Sequence, residues 1–439
     1  MIRGAARLTA QRNETILTSF TTEENAIKTQ VIIEEDGFFQ IVFHYDARPS
    51  SERCSLYING LTYGWVLFNA SEQAADFIAC TAWLAKGENT FTLTNARGKV
   101  VLKHLMLIPS SEPVRSRPLF DLVNPAATKE CRTLMRYLSS VYGNKLITGQ
   151  HTNSVAGLEI DHIHSLTGKL PALKGFDLLS YSHATTTNNM SEDAIIEIEG
   201  NKGTLGKAIE WHTQQGGIVT ICWHWFAPLG GEDKTFYTKQ TDFDLNEALQ
   251  PGTASYEALL RDMDTIAEHL KKLREARVPV LWRPLHEADG RWFWWGAKGP
   301  EAYKALYRFM FDRYVNYHQL NNLIWVWNAP NPAWYPGDEF VDLVGDDVYE
   351  PAGNYGPLLC PYEYAVALTN GRKPVALTEN GPIPDPALLR ANRANWLWYM
   401  PWWGYWCTDP SVTSNEQLIK TYHHPDVITL EDLPDFSTY

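Results

Sequence analysis

Residues 278–287 read VPVLWRPLHE, an apolar run that opens at Pro279 and ends abruptly in arginine, histidine and glutamate. The run has no polar face through its length, so as a strand it would be covered on both sides, the habit of strands in parallel sheets. The flanks agree. Upstream, Tyr256, Leu259, Leu260, Met263, Ile266, Ala267, Leu270 and Leu273 recur at helical spacing, which predicts a helix over 256–274. Downstream, GPEAYKALYRFMFDRYVNYHQL (299–320) places Tyr303, Leu306, Tyr307, Met310 and Phe311 on one face of a second helix.

The same unit repeats outward from this point. KLITGQ (145–150), LPALKGFDLL (170–179), GGIVTICWHW (216–225), NNLIWVWN (321–328), VDLVGDDVYE (341–350), KPVALTENG (373–381) and NWLWYMPWWGYW (395–406) are further strand candidates, which makes eight in all. Eight strands alternating with helical segments over 121–439 predict an α/β fold of the (β/α)8 type, a TIM barrel. The rival is an open doubly wound sheet. Its nucleotide-binding signatures are missing: no GxGxxG follows the first strand and no GxxxxGK[ST] occurs.

In such a barrel the chemistry sits where strands end at their C-terminal side. Two of these ends carry a glutamate: Arg283-Pro284-Leu285-His286-Glu287 on the fourth strand and Thr378-Glu379-Asn380-Gly381 on the seventh. A salt bridge to Arg283 at the barrel rim is the bland alternative for either alone. Two carboxyls facing across one cavity suit cleavage of a glycosidic bond, one protonated to assist the leaving oxygen and one ionised to attack the anomeric carbon. Tryptophan usage points the same way, since 15 of 17 lie between Trp211 and Trp406. Trp223, Trp225, Trp292, Trp294, Trp295, Trp327, Trp334, Trp402, Trp403 and Trp406 fall at or beyond strand ends, where an indole face can cover a sugar ring while its N–H bonds a hydroxyl. Trp282, Trp325 and Trp396 lie earlier in their strands and read as core.

PVLWRPLHEADGRWFWWGAKGPEAY (279–303) resembles the acid/base region of glycoside hydrolase family 26, and WHWFAP, NNLIWVWN, WYPGDEFVDLVGDDVY, TENG and YMPWWG are similar to its other strand-end segments, in the expected order. The resemblance covers nearly all of 130–420. It implies a retaining mechanism with Glu287 as general acid/base and Glu379 as nucleophile. It also implies that His224, His286, Asp347 and Tyr349 surround the sugar at the cleavage point, and that Trp292 is the family's aromatic after the acid. Arg283 and Trp402 complete the expected substrate-binding set. Asp289 departs from the family, where asparagine or serine is commoner, and bears on the acidity of Glu287. Because His286 precedes the acid on a strand, it would point away from the site unless the strand geometry breaks there.

The family's activities are mostly β-1,4-mannanase, with β-1,3-xylanase and mixed-linkage β-glucanase as minorities. The expected reaction is therefore endo-hydrolysis of β-1,4 bonds in mannan, glucomannan or galactomannan, with β-mannan and manno-oligosaccharides as partners. The alternatives are an exo-enzyme releasing mannobiose, a non-catalytic carbohydrate-binding barrel, and a metal hydrolase built on His224, His286, Asp347 and Glu379. The tryptophan content fits the first reading and leaves the metal hydrolase without a reason for it, so no metal and no cofactor is expected.

Residues 1–112 read as an all-β sandwich: QVIIEE, FFQIVFHYDA, CSLYING, ENTFTLTN and VVLKHLMLI are short strands punctuated by Asp36-Gly37, Asn59-Gly60, Gly87 and residues 95–98. Residues 113–120, in and just beyond the proline-bearing PSSEPVRSRP, form a linker. The sandwich is similar to carbohydrate-binding module family 35. It departs from that module at Thr9-Ala10-Gln11, where Ala-Glu is usual, and at Lys103 or His104, where an aspartate is usual. Trp65 and Tyr63 are its candidate sugar platform; the other reading is a spacer or packing domain.

The net charge of −13 argues against a nucleic-acid partner, which would call for a basic patch. No apolar stretch approaches the roughly 20 residues of a membrane span, and the first thirty residues hold no apolar signal core. A secreted chain with its leader removed and a cytosolic chain would both read so; secretion and a monomeric state are the expectation. Six cysteines without CxxC spacing exclude a zinc ribbon or a redox motif and leave any disulfide pairing open.

Overall fold

The computed structural model describes residues 15–16, 20–21, 26–46, 51–94, 100–153, 156–182, 185, 192–229 and 235–439. Thr9-Ala10-Gln11 and the turn at 95–98 lie outside the described residues. The chain divides into two compact units. One comprises Met1–Arg117 with Glu350–Tyr364 and Pro384–Asn395; the other comprises Pro118–Tyr349, Ala365–Ile383 and Trp396–Tyr439.

The first unit contains antiparallel strands β1 (Thr15–Ile16), β2 (Phe20–Thr21), β3 (Ala26–Ile33), β4 (Gly37–Tyr45), β5 (Glu52–Ile58), β6 (Leu61–Phe68), β7 (Ala75–Leu84), β8 (Gly87–Thr94) and β9 (Val101–Ser110). They form two sheets, β1-β9-β4-β7 with β2 on β9, and β3-β8-β5-β6. Alternate residues of β5 and β8, among them Cys54, Leu56, Ile58, Phe91 and Leu93, are buried, as expected for sheets with one covered face. Segments from far along the chain join this unit. Glu363 Oε2 accepts from the Thr81 N–H at 3.1 Å and Asn392 Oδ1 from the Trp83 N–H at 3.1 Å. A Cβ on Gly64 would lie 2.4 Å from Pro361 Cδ, so only glycine permits that approach.

This packing corrects the reading of Trp65 and Tyr63 as a sugar platform. Trp65 is 8% exposed; the Arg53 guanidinium lies 4.3 Å over its ring and the Tyr364 ring meets it edge-on at 4.9 Å. Tyr63 is buried as well.

The second unit holds the parallel strands β10 (Leu146–His151), β11 (Leu173–Asp177), β12 (Ile218–Cys222), β13 (Val280–Arg283), β14 (Leu323–Trp327), β15 (Leu343–Val348), β16 (Val375–Asn380) and β17 (Trp398–Tyr399). Each pairs with the next in chain order from β10 to β16. β17 pairs with β10 through Ile147↔Trp398, and a bridge from Asn380 to Pro401 joins β16 to the end of β17, so the sheet closes. The open-sheet rival is thereby excluded. The helix expected at 256–274 spans Ala254–Glu275, capped by Thr253 accepting from the Tyr256 N–H, with Leu259, Met263, Ile266, Leu270 and Leu273 buried. The next runs from Pro300 at its first turn to Asp312 and continues as a π-turn over Arg313–Tyr317.

Candidate active site

Two irregularities in the barrel strands assemble the site. β13 stops at Arg283, and the loop beyond it places Leu285 at φ 53° and Glu287 at φ 54°. Left-handed backbone at non-glycine residues carries strain of order 1–2 kcal/mol each and needs surrounding contacts to hold it. The Glu287 N–H is anchored on the Asn328 carbonyl at 2.7 Å and the Trp295 indole donates to the His286 carbonyl at 2.8 Å. This is the break expected near His286, and it lets two consecutive residues serve the same site. The second irregularity lies between Asp346 and Asp347, where the register against β16 shifts so that Asp347 stands opposite Glu379.

Arg283, 1% exposed, donates Nη1 to Asp347 Oδ2 at 2.9 Å and Nη2 to Glu379 Oε1. Tyr349 donates its hydroxyl to the other Glu379 oxygen at 2.6 Å. Asp347 Oδ1 takes Asn328 Nδ2 at 2.6 Å and the Thr378 hydroxyl at 2.7 Å. The Trp292 indole donates to Glu287 Oε2 at 2.9 Å. One carboxylate oxygen from each of Glu287, Asp347 and Glu379 lies within 4.8 Å of the other two.

The two glutamates are thus in unlike surroundings. Burial, then the negative charges of Asp347 and Glu379, push Glu287 well above the usual carboxylate range; the Trp292 N–H and Arg283 pull only partly against them. Burial lifts Glu379 as well, but it alone bonds the guanidinium and the phenol, both of which favour its ionised form. Two carboxyls in such unlike surroundings can serve as an acid and a nucleophile. The salt bridge first weighed as a bland alternative does exist, on Glu379 and inside the barrel mouth. A cation held by the three carboxylates would compete with the charge that Arg283 already supplies there.

A third cluster completes the floor. His224 bonds Asp177 Oδ2 through Nδ1 at 2.5 Å and His286 Nε2 through Nε2 at 3.1 Å. His286 is held well below the ordinary imidazole range by burial and by Arg283, His224 and His151. His151 is accommodated because residue 175 is glycine; a Cβ there would fall 2.3 Å from His151 Nδ1.

Above the carboxylates opens a cavity of about 180 Å³ lined by Asp177, His224, Glu287, Tyr349, Glu379 and Trp402, with Phe236, Tyr237, Phe293 and Trp403 around them. Of the expected site residues, Glu287, Glu379, His224, Tyr349 and Trp402 therefore line one space. Arg283 and Asp347 lie beneath it, His286 bonds His224, and Trp292, 46% exposed, bonds Glu287. The tryptophans need correction. Trp223, Trp225, Trp294, Trp295, Trp327 and Trp334 are at most 3% exposed and pack in the layers behind the site. Trp223 and Trp225 stack at 4.1 Å, and Trp225 donates to buried Asp262 at 2.9 Å. Trp282, Trp325 and Trp396 are core as expected. Asp177, Asn328 and Thr378 were not anticipated, although Asp177 and Asn328 end their runs GFD and WVWN just as Glu379 follows its own.

A closed (β/α)8 barrel with two buried, differently tuned carboxyls at the ends of its fourth and seventh strands defines a carboxylate-pair glycoside hydrolase. The chain belongs to glycosyl hydrolase family 26, whose description it matches over residues 123–432. It is 37% identical to a mannan endo-1,4-beta-mannosidase of Thermothelomyces thermophilus, over 99% of this chain and 89% of that one. Among solved structures it is similar to a Podospora anserina GH26-CBM35 beta-(1,4)-mannanase, with TM-score 0.70, 35% identity and coverage of 99% and 95%. It is also similar to a beta-mannanase from a symbiotic protist of the termite Reticulitermes speratus, complexed with gluco-manno-oligosaccharide, with TM-score 0.65, 34% identity and coverage of 73% and 99%.

Proposed function

We propose that the chain is an endo-β-1,4-mannanase that works by double displacement, with Glu287 as general acid/base and Glu379 as nucleophile. The observation that carries the mechanism is the carboxylate spacing. Oxygens within 4.8 Å leave no room for a water between nucleophile and sugar, whereas an inverting pair stands roughly 6.5–9.5 Å apart. Glu287, kept protonated by its surroundings, gives its proton to the leaving oxygen. Glu379, bonded and aimed by Arg283 and Tyr349, both of which favour its ionised form, forms the bond to the anomeric carbon. Glu287, now a base, then takes a proton from the water that releases the sugar. His224 and Trp402 line the wall against which that sugar sits.

Mannan as substrate is supported by the relatives named above. Glu287, Glu379, Arg283, Asp347 and Tyr349 come together within one chain, which supports the monomeric reading. A polymeric substrate too large to enter a cell supports the expectation of secretion. The test is a comparison of products from β-mannan, β-1,3-xylan and mixed-linkage β-glucan, with the first products followed by NMR. Mannan should be degraded fastest, to a spread of oligosaccharide lengths, and the first anomer should be β. Release of mannobiose alone would mean exo action, and a first product with the α configuration would overturn the mechanism.

A further inference from the structure

His224 sits between two acids of opposite purpose. On one side is Asp177, last residue of β11 and 6% exposed, whose Oδ1 accepts the N–H groups of Leu179 at 2.9 Å and His224 at 3.0 Å while Oδ2 faces His224 Nδ1. Three bonds lock this carboxylate, and two of them grip His224 at both its backbone and its ring. On the other side is the cavity with Glu379. The far nitrogen of His224 meets His286 Nε2 at 3.1 Å. Because His286 is kept neutral, it can accept a hydrogen bond from His224 at that contact without being charged itself.

We infer that Asp177 is a positioning residue for the same reaction: it orients the His224 ring and keeps both its nitrogens protonated beside Glu379, so that His224 joins Arg283 in favouring the ionised nucleophile. The inference rests on the reading of Glu379 given above. The titratable and charged groups around His224 come from several elements. Asp177 belongs to β11, Cys222 ends β12 with its thiol pushed up by burial, and Glu197 lies in the helix Glu192–Gly200; Arg283 ends β13, His286 and Glu287 follow it, Glu379 lies near the end of β16, and His151 ends β10. Tyr237 and Tyr349 line the same cavity. Burial works against a charged His224, and Asp177, Glu379 and Glu197 overcome it, leaving the imidazole above its ordinary range. In return His224 lowers the range in which Glu379 takes up a proton.

The experiment is the pH profile of kcat/KM on mannohexaose for the wild type, Asp177→Asn and Asp177→Glu. Asparagine keeps an acceptor for His224 and loses the charge. The acid limb, which reports ionisation of Glu379, should move up by roughly one pH unit in D177N, while the alkaline limb stays and D177E returns the acid limb toward wild type. A purely structural role would lower the rate without moving that limb. Nitrogen-15 NMR of the imidazoles in the wild type gives a readout independent of any variant, and both His224 nitrogens should carry protons at pH 6. An unmoved acid limb in folded D177N, or a neutral His224 at pH 6, would overturn the inference. Trapping with a 2-deoxy-2-fluoro-mannosyl fluoride separates the two failures. A label away from Glu379 defeats the mechanism itself, whereas a label on Glu379 with an unmoved limb defeats only the role of Asp177.

Discussion

The Trp292 indole N–H meets Glu287 Oε2 at 2.9 Å, and among the described residues it is the one side-chain hydrogen bond on that carboxyl that favours its ionised form. Everything larger around Glu287, its burial and the charges of Asp347 and Glu379, favours the proton. Removing the indole donor therefore raises Glu287 further. Trp292→Phe should extend the alkaline limb of the kcat/KM profile to higher pH. The ring keeps most of its apolar face, so KM for long oligosaccharides should change less than the limb does. An alkaline limb that moves down would contradict the assignment of Glu287 as the acid.

The unlike surroundings of the two glutamates also separate their variants. On the proposed roles, Glu379→Ala removes the atom that would bond to the sugar, and turnover of every substrate should fall by orders of magnitude. Glu287→Ala removes only a proton donor and acceptor. Aryl mannobiosides with activated leaving groups need no protonation to depart, so their first step should survive far better than cleavage of mannan. Burst kinetics with release of the phenol check this directly. Equal loss in both variants on the activated substrate would reverse or erase the division of roles.

How much of this was legible in the sequence differs from residue to residue. The eight apolar runs with their polar ends were sufficient for the barrel, because a strand covered on both faces leaves an unmistakable run and its C-terminal end carries the chemistry. That rule singles out Glu287 and Glu379, and the structure brings both to one cavity. Asp177 and Asn328 satisfy it equally and were passed over, since one acid or amide at a strand end has no partner until the strands are placed side by side. The tryptophans misled for a physical reason: an indole at a strand end can face the cavity or the helices, and only the register and twist decide. Trp223 and Trp225 turned outward into the core while His224, between them in sequence, faces the cavity. Trp65 misled in the same way, because the residues that cover it, Arg53 and Tyr364, include one nearly three hundred positions later in the chain.

Asp262 gives a test of stability apart from catalysis. It lies fully buried in the helix Ala254–Glu275, accepts the Trp225 indole N–H at 2.9 Å, and is pushed up to about 6 by burial, with the Trp225 bond and Arg261 opposing. A carboxyl whose folded value lies above its unfolded value stabilises the fold at low pH. That stability is complete below about pH 4 and is lost as pH rises through about 6, for a total of about 3 kcal/mol. Asp262→Asn keeps an acceptor for the indole and cannot ionise. Its Tm should exceed that of the wild type at pH 7.5 and match it near pH 4. A variant less stable than the wild type at both values would mean that the ionised carboxylate is the form the core requires.

The amino-terminal unit bears on how the enzyme meets its polymer. A flexibly tethered binding module raises the local concentration of polymer, and its removal leaves short substrates unaffected. Here the same unit holds Glu350–Tyr364 and Pro384–Asn395, and the strands of residues 1–117 cover side chains from both segments. Cys360 is 2% exposed, Glu363 pairs with Arg115, and Asn392 accepts from the Trp83 N–H. Deleting residues 1–117 removes the partners of half-buried Glu363 and buried Asn392 and exposes the apolar side chains these strands cover, Cys360 among them, to water. The truncated chain should therefore lose thermal stability, and its activity on mannan and on mannohexaose should fall together. Trp65→Ala should lower Tm by removing a buried indole, at about 3–5 kcal/mol, without a selective loss of mannan retention on affinity gels. Full activity on mannohexaose with loss confined to insoluble mannan would instead return the unit to the role of an independent sugar-binding module.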